Sequence, residues 1–234
     1  MSAETQNLFA GWTTYEKVVA GDYMHQRVYI DHLLTVLKGR QPGPTNLLDI
    51  GCGDAEPVKP LFADLNINCY IGLDSSDVAL EKAAAALTKA GVDYQLHNCD
   101  MRQVNQFVSG GWAQLIVASY SLHHLDLEEK QVMLNACADL LSPGGVLAII
   151  DVFRTENEAL THYHNRWADY AQSHYNTLDE EELVELISHV KQEDMPETVP
   201  NYLELAEGAG LTLQDQLCAG EEKLNAMLML GKQN

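Results

Sequence analysis

The sequence predicts an α/β fold: a doubly wound, mostly parallel sheet with helices on both faces and an antiparallel hairpin at its C-terminal end. Three observations predict it. Short apolar runs at 46–50, 68–73, 92–97, 114–118 and 146–152 alternate with longer amphipathic runs, and strands separated by helices pair in parallel and are buried on both faces. The first of these runs opens directly into Gly51 and Gly53, which is how a strand enters a ligand-binding turn. The last two strand-like runs, 211–217 and 223–230, are separated only by a turn at Gly220, which suits a hairpin.

Taken in order, residues 22–38 place Met24, Val28, Leu33, Leu34 and Leu37 at helical spacing and read as an amphipathic helix. Gly39 and Pro44 punctuate the linker that follows. The runs 46–50 and 68–73 are the first two strands, and 76–90, rich in Ala and Leu, is a helix with Ser75 or Ser76 as its N-cap. Strands follow at 92–97 and 114–118, then a helix at 127–141, a turn at Ser142-Pro143-Gly144-Gly145, and the almost wholly apolar strand 146–152. The pattern then changes: 153–198 is polar, charged and aromatic, with a helical piece near 179–189. Asp179, Glu180, Glu181 and Glu182 at the start of that piece suit the positive end of a helix dipole. Such an insertion can cover a site. A helix at 199–209 leads into the hairpin. The expected organisation is a single domain: an N-terminal helical segment (1–44), a ligand-binding core (45–152), an inserted cap (153–198), and a final helix and hairpin (199–234).

Composition narrows the partners. With 234 residues and 46% hydrophobic content the chain can bury one ordinary core. Acidic residues outnumber Lys and Arg by 34 to 14, for a formal charge of -20. That surface repels phosphate backbones, so neither nucleic acid nor an anionic membrane is an expected partner, and a neutral or cationic small molecule is. Five cysteines, widely spaced and without a CxxC pair, indicate neither a disulfide framework nor a zinc site. No run is apolar enough to span a bilayer, and Met1 to Gln6 lack the basic start of an export signal, so a cytoplasmic setting and a monomer or homodimer are expected.

The ligand signal lies in Asp49-Ile50-Gly51-Cys52-Gly53-Asp54. Glycines here let the backbone turn sharply and a ligand come close, with Cys52 between them. Asp49 would oppose a phosphate and suit a cation such as the α-ammonium of a methionine moiety. The second strand ends in Gly72-Leu73-Asp74, followed by Ser75. An acid about 20 positions after the glycines is placed to bind ribose hydroxyls. After the third strand, Asp100 can accept from an adenine amino group while Met101 lies against the ring.

In order and spacing, Asp49, Gly51, Gly53, Asp74, Asp100 and Met101 resemble the class I S-adenosylmethionine-dependent methyltransferases, over about 46–152. The loop departs once, with Ala55 where the family commonly has a third glycine. Asp49 and that missing glycine disfavour a nicotinamide dinucleotide. The resemblance implies S-adenosylmethionine as cofactor, a seven-stranded sheet with its final strand antiparallel, and a cofactor lying across the carboxyl ends of the strands. It implies an N-terminal lid holding Phe9, Trp12, Tyr15, Tyr23, Met24, His25 and Arg27, in which Tyr15 and Arg27 contact the methionine carboxylate. It also places Ser119, Tyr120, Ser121, Leu122, His123, His124 and Leu125 beside the reactive methyl, with His123 or His124 as a base or as an orienting group. Two adjacent histidines seldom converge on one ion and no third ligand is placed by sequence, so no metal is expected. Asp151, Arg154, Tyr163, His164, Trp167 and Tyr170, with Tyr23, are candidates for the acceptor side, where aromatics and carboxylates suit a cationic amine. The implied reaction is in-line methyl transfer to a small-molecule amine or hydroxyl. The alternatives are a protein methyltransferase and a cofactor-binding accessory protein without turnover.

Overall fold

The structure, a computed structural model, describes residues 13–40 and 43–232. Phe9 and Trp12 of the expected lid lie outside the described residues. The strands are β1 (Thr45–Ile50), β2 (Ile67–Asp74), β3 (Tyr94–Asn98), β4 (Ala113–Ser119), β5 (Leu141–Arg154), β6 (Glu197–Thr198), β7 (Leu211–Leu217) and β8 (Asn225–Lys232). The helices are α1 (Thr13–Gly21), α2 (Gln26–Gly39), α3 (Lys59–Asp64), α4 (Asp77–Ala90), α5 (Leu127–Leu140), α6 (Leu160–His174), α7 (Glu180–Glu193) and α8 (Val199–Gly208). Short 3-10 turns follow β3 and β4, at Met101–Gln106 and Leu122–His124.

The sheet order is β3-β2-β1-β4-β5-β8-β7, parallel except that β8 is antiparallel to both of its neighbours. β1 sits at the middle, where the strand order reverses, and doubly wound sheets bind ligands at such a switch point. Its position explains its sequence. Leu47 packs with Tyr29, Leu33 and Met229 on one face, and Leu48 and Ile50 with Leu134 and Leu147 on the other, all fully buried. Cutting Leu47 to Ala would cost about 2–5 kcal/mol. β8, apolar and buried from Ala226 to Gly231, is interior; β7, half exposed, forms the edge.

Helix ends follow local chemistry. Ser76 caps α4 by accepting from the Ala79 N–H at 3.2 Å. Asp126 with Glu129, and Asp179 with Glu182, form capping boxes at α5 and α7.

Several expectations need correction. The helix expected at 22–38 starts only at Gln26, because Asp22 and His25 take left-handed φ of 51° and 56° and turn the chain between α1 and α2. Its buried side is Tyr29, Ile30, Leu33, Leu34 and Leu37, whereas Val28 is exposed. The Ser142–Gly145 turn lies inside β5: the register to β4 jumps from Ala113–Leu141 to Leu115–Val146, with Gly144 at φ 76°. A two-residue eighth strand, β6, pairs with the end of β5. Helix α6 was not anticipated; it buries Tyr163, His164, Trp167, Ala168 and Ala171, helical spacing written in aromatic and small residues rather than Leu or Val.

Candidate active site

The loop after β1 is shaped by contacts that leave no room for side chains. Gly51 has φ 70°, and a Cβ on it would fall 2.5 Å from the Ser121 Cβ. Gly53 has φ 54° and donates its N–H to Asp74 Oδ2 at 2.9 Å. Ala55, where the family pattern has glycine, is fully buried at φ 59°. A non-glycine there costs about 1–2 kcal/mol of backbone strain. Asp74 also accepts from the Ser76 N–H at 2.9 Å, so one carboxylate ties the end of β2 to both the glycine loop and the start of α4. Burial pushes the Asp74 carboxyl up, and those backbone N–H groups oppose the shift.

A cavity of about 260 Å³ opens over the carboxyl ends of β1, β2, β3 and β4. Gly51, Gly53, Asp74 and Ser75 line one side, Asp100, Met101 and Arg102 a second, and Ser119, Tyr120 and His124 a third. Tyr15 from α1 and Glu193 from the end of α7 also face it. Asp100 is bound by Arg102, which holds its carboxyl below the usual range. Burial, with Asp54, Asp74 and Asp49 nearby, pushes the Tyr15 hydroxyl far up, so it stays protonated.

Asp49 and Cys52 lie beneath the wall. Asp49 is 2% exposed and accepts from the Tyr70 hydroxyl at 2.8 Å. Burial raises its carboxyl to about 7, the Tyr70 hydrogen bond works against that, and Asp74 and Asp54 add to it. Direct contact with an ammonium, expected for Asp49, is not what the geometry offers: its charge acts from below.

At the other end of the cavity the 3-10 turn separates the two histidines. His124 faces the cavity and His123 turns inward. Asp151, fully buried on β5, accepts from the His123 N–H at 3.0 Å and meets its Nδ1 at 2.6 Å. Burial disfavours an imidazolium at His123, but Asp194 and Asp151 outweigh it and lift the group to about 9. His124 is pushed well down by burial, then by His123 and His189. Tyr120 lines the wall with a left-handed φ of 52°, and its hydroxyl donates to the Met24 carbonyl.

The remaining expectations change. Arg27 is exposed and donates to the Ala20 carbonyl at 3.0 Å, so it does not reach the cavity. Its place at the start of α2 points it outward. Tyr23 stacks on Tyr175 at 4.3 Å and gives its hydroxyl to Asn176 and Thr177, sealing α1 to the cap instead of meeting a substrate. Arg154 is spent on Pro196, Glu158 and Glu197. Tyr163 and Trp167 are in the cap's own core with Val18, Val152 and Val190, and His164 meets the Asp194 carbonyl at 3.0 Å. These five pack within the cap and its seams, and the Tyr163 hydroxyl is buried without a hydrogen-bond partner, near Asp194 and Asp151.

Comparison with known proteins agrees with this geometry. A family model described as a methyltransferase domain matches residues 47–145. A carboxy-S-adenosyl-L-methionine synthase of Trichodesmium erythraeum is 28% identical over 168 residues, which cover 68% of this chain and 61% of that protein. The chain thus spans less than two thirds of that relative. The mitomycin 7-O-methyltransferase MmcR superposes with a TM-score of 0.57 at 19% identity, over 82% of this chain and 50% of that one. A structure from the complex of the Haloferax volcanii Trm112 methyltransferase activator with a methyltransferase superposes with a TM-score of 0.67 at 12% identity, covering 98% of both chains. Residues 47–145 thus match a methyltransferase domain, and the chain has the fold of the class I S-adenosylmethionine-dependent methyltransferases.

S-adenosylmethionine is the cofactor of the class I methyltransferases whose fold this chain shares, and the residues lining the cavity fit it. The left-handed Gly51 and Gly53 bring the backbone to the cavity wall, and the nearby acids Asp49, Asp74 and Asp100 favour a cationic ligand over a pyrophosphate. Sequence reasoning missed Glu193, Asp194, Cys99 and Arg102 in and beside this cavity. Arg102 had a signal, being next to Met101; Glu193 and Asp194 had none, because only folding of the cap over the sheet brings the end of α7 there. Among the described residues no helix is long and apolar enough to cross a membrane.

Proposed function

We propose that this protein transfers a methyl group from S-adenosylmethionine to a small-molecule acceptor carrying a hydroxyl or an amine. When bound, the cofactor supplies a methyl on a sulfonium, open to in-line displacement. Asp74 and Ser75 take the ribose hydroxyls, and Asp100 and Met101 the adenine. The backbone of Gly51 and Gly53, with Tyr15 and Ser119, surrounds the methionine part, while Asp49 and Cys52 support the loop from below. Tyr120 and His124 orient the acceptor. His123 and Asp151 fix the turn that carries His124. Helix α1 and the cap exclude water, which holds the reacting atoms close and strengthens every polar contact between them.

The observation that carries this reading is one cavity reaching from Asp74 and Asp100 to His124 and Glu193. Its cofactor end and its polar far end are therefore contiguous. The far end is closed by the end of α7 at Glu193 and the glycine-loop side by Tyr15 of α1, which suits a small acceptor better than a polypeptide. The test is incubation with methyl-labelled S-adenosylmethionine and a metabolite extract or a protein extract. Label should appear in a small-molecule fraction, together with S-adenosylhomocysteine. Label confined to protein, or no product with tightly bound cofactor, would overturn the reading.

A further inference from the structure

The structure brings together three groups that the sequence keeps apart. His123 Nε2 and His124 Nδ1 each lie 3.7 Å from Asp194 Oδ1. All three ligand atoms fall within 4.8 Å of one another. Asp194 is 6% exposed, and its Oδ1 has no hydrogen-bond partner. The buried Nδ1 of His124 has none either. Two unsatisfied polar atoms, buried and 3.7 Å apart, are costly unless something is held between them.

We propose that His123, His124 and Asp194 form a binding site for one divalent transition-metal ion at the acceptor end of the cavity. Bonds of about 2.0–2.2 Å in tetrahedral arrangement put ligand atoms about 3.3–3.6 Å apart, close to the 3.7 Å separations here. The donor set is two imidazoles and one carboxylate, which selects zinc- or iron-class ions over magnesium or calcium. The supporting shell is present as well. His123 Nδ1–H donates to Asp151 at 2.6 Å, which leaves Nε2 as the atom to bind the ion, in exchange for its proton. Lys130 anchors the neighbouring segments through the Leu125 and Met195 carbonyls, holding the turn and the end of the cap in one arrangement. His124 lies on the cavity wall, so a coordination position is left on the side where an acceptor enters. If the methyl-transfer reading holds, an ion there would bind an acceptor hydroxyl and favour its deprotonated form.

The test is titration of the metal-stripped protein with Zn(II) by calorimetry and with Co(II) by visible absorption. One saturable equivalent is expected, with the intense bands of a low-coordinate Co(II) site, and Zn(II) should raise the melting temperature. Asp194→Asn and His124→Gln should each weaken binding at least tenfold, and Asp151→Asn by about ten- to a hundredfold through the positioning of His123. His124→Gln, at the cavity edge, guards against misfolding of the Asp194 variant. Folding of each variant is read from its melting curve. No saturable equivalent, or equal affinity in folded Asp194→Asn and His124→Gln, would overturn the proposal. S-adenosylhomocysteine binding measured on the same samples separates the two readings: cofactor without metal removes only this site, and metal without methyl transfer removes only the function.

Discussion

At the scale of single residues, charge beneath the glycine loop governs the cofactor end. Asp49 is buried with its carboxyl at about 7, near Asp74 and Asp54. A cationic ligand placed above it favours the ionised form and so expels a proton. Binding of S-adenosylmethionine near pH 7 should release about half a proton per site, and S-adenosylhomocysteine, lacking the sulfonium charge, less. Calorimetry in buffers of different ionisation enthalpy measures this, and equal release by both ligands would contradict it. The same shift has a stability consequence. The folded value lies above the ordinary 3.8, so the contribution of Asp49 is present below 3.8 and lost as pH rises to about 7. Asp49→Asn should therefore melt higher than the parent above neutral pH while binding cofactor more weakly. A second pair of substitutions separates wall from surface. Asp74→Ala removes a carboxylate that also holds the Gly53 and Ser76 N–H groups. Charged hydrogen bonds contribute about 1.5–3 kcal/mol each, so cofactor affinity should fall at least tenfold. Arg27→Ala, on the exposed side of α2, should leave it unchanged; a matching loss there would show that α2 moves into the site on binding.

At the scale of elements, the cap hangs from the end of β5 by charged contacts. Glu158 accepts from Arg166 through both oxygens at 2.8 Å and from the Thr155 N–H at 2.9 Å. Arg166, foremost, and the Thr155 N–H hold its carboxyl down at about 2 against the opposing effect of burial. Its folded value lies below the ordinary 4.5, so its stabilisation is complete above 4.5 and lost as pH falls to about 2. Glu158→Gln should cost about 2–3 kcal/mol at neutral pH, and the gap from the parent should close on acidification. Urea unfolding of both proteins across that range checks it; a gap independent of pH would mean that packing of α6, not the ion pair, sets the cost. Helix α6 also shows how an element can hide in a sequence. Its buried side is written as Tyr163, His164, Trp167 and Ala171, so the period is helical but the residue types read as a polar insertion.

At the scale of the whole molecule, three segments distant in sequence close one cavity: the core strands, α1, and the cap. α1 and the connection after it meet the cap through Lys17–Glu182 and through the Tyr23 hydroxyl at Asn176 and Thr177. They meet the core through Lys82–Glu16 and the Tyr120 hydroxyl at Met24. The ion pairs are at the surface and individually weak, and the apolar contact of this segment with the cap is small, involving Val18, Tyr23 and Met24, so this roof should open more readily than the sheet. Hydrogen exchange in α1 and in 153–198 should be fast in the free protein and slow with S-adenosylhomocysteine and an acceptor bound, while β1, β4 and β8 stay protected in both states. Equal protection of the roof in the two states would make it a fixed wall, with entry to the cavity by another route.

What the sequence determined by itself was the doubly wound core and its cofactor end. Those signals are local: a buried strand must be apolar, a tight turn needs glycine, and an acid at each strand end lies beside its neighbour once the strands pair in parallel. Asp49, Gly51, Gly53, Asp74 and Asp100 could therefore be read in order along 49–100. Only the tertiary structure decided the acceptor end. Asp194 is 71 residues beyond His123 along the chain, and no spacing rule links the two; they meet because α6 and α7 fold back over β5 and deliver the end of the cap to the turn after β4. The same folding-back turned Tyr23, Arg154, Tyr163 and Trp167 from substrate candidates into the cap's seams and core, because whether an aromatic or an arginine faces a ligand or another helix depends on what packs against it, and that is not written in its neighbours along the chain.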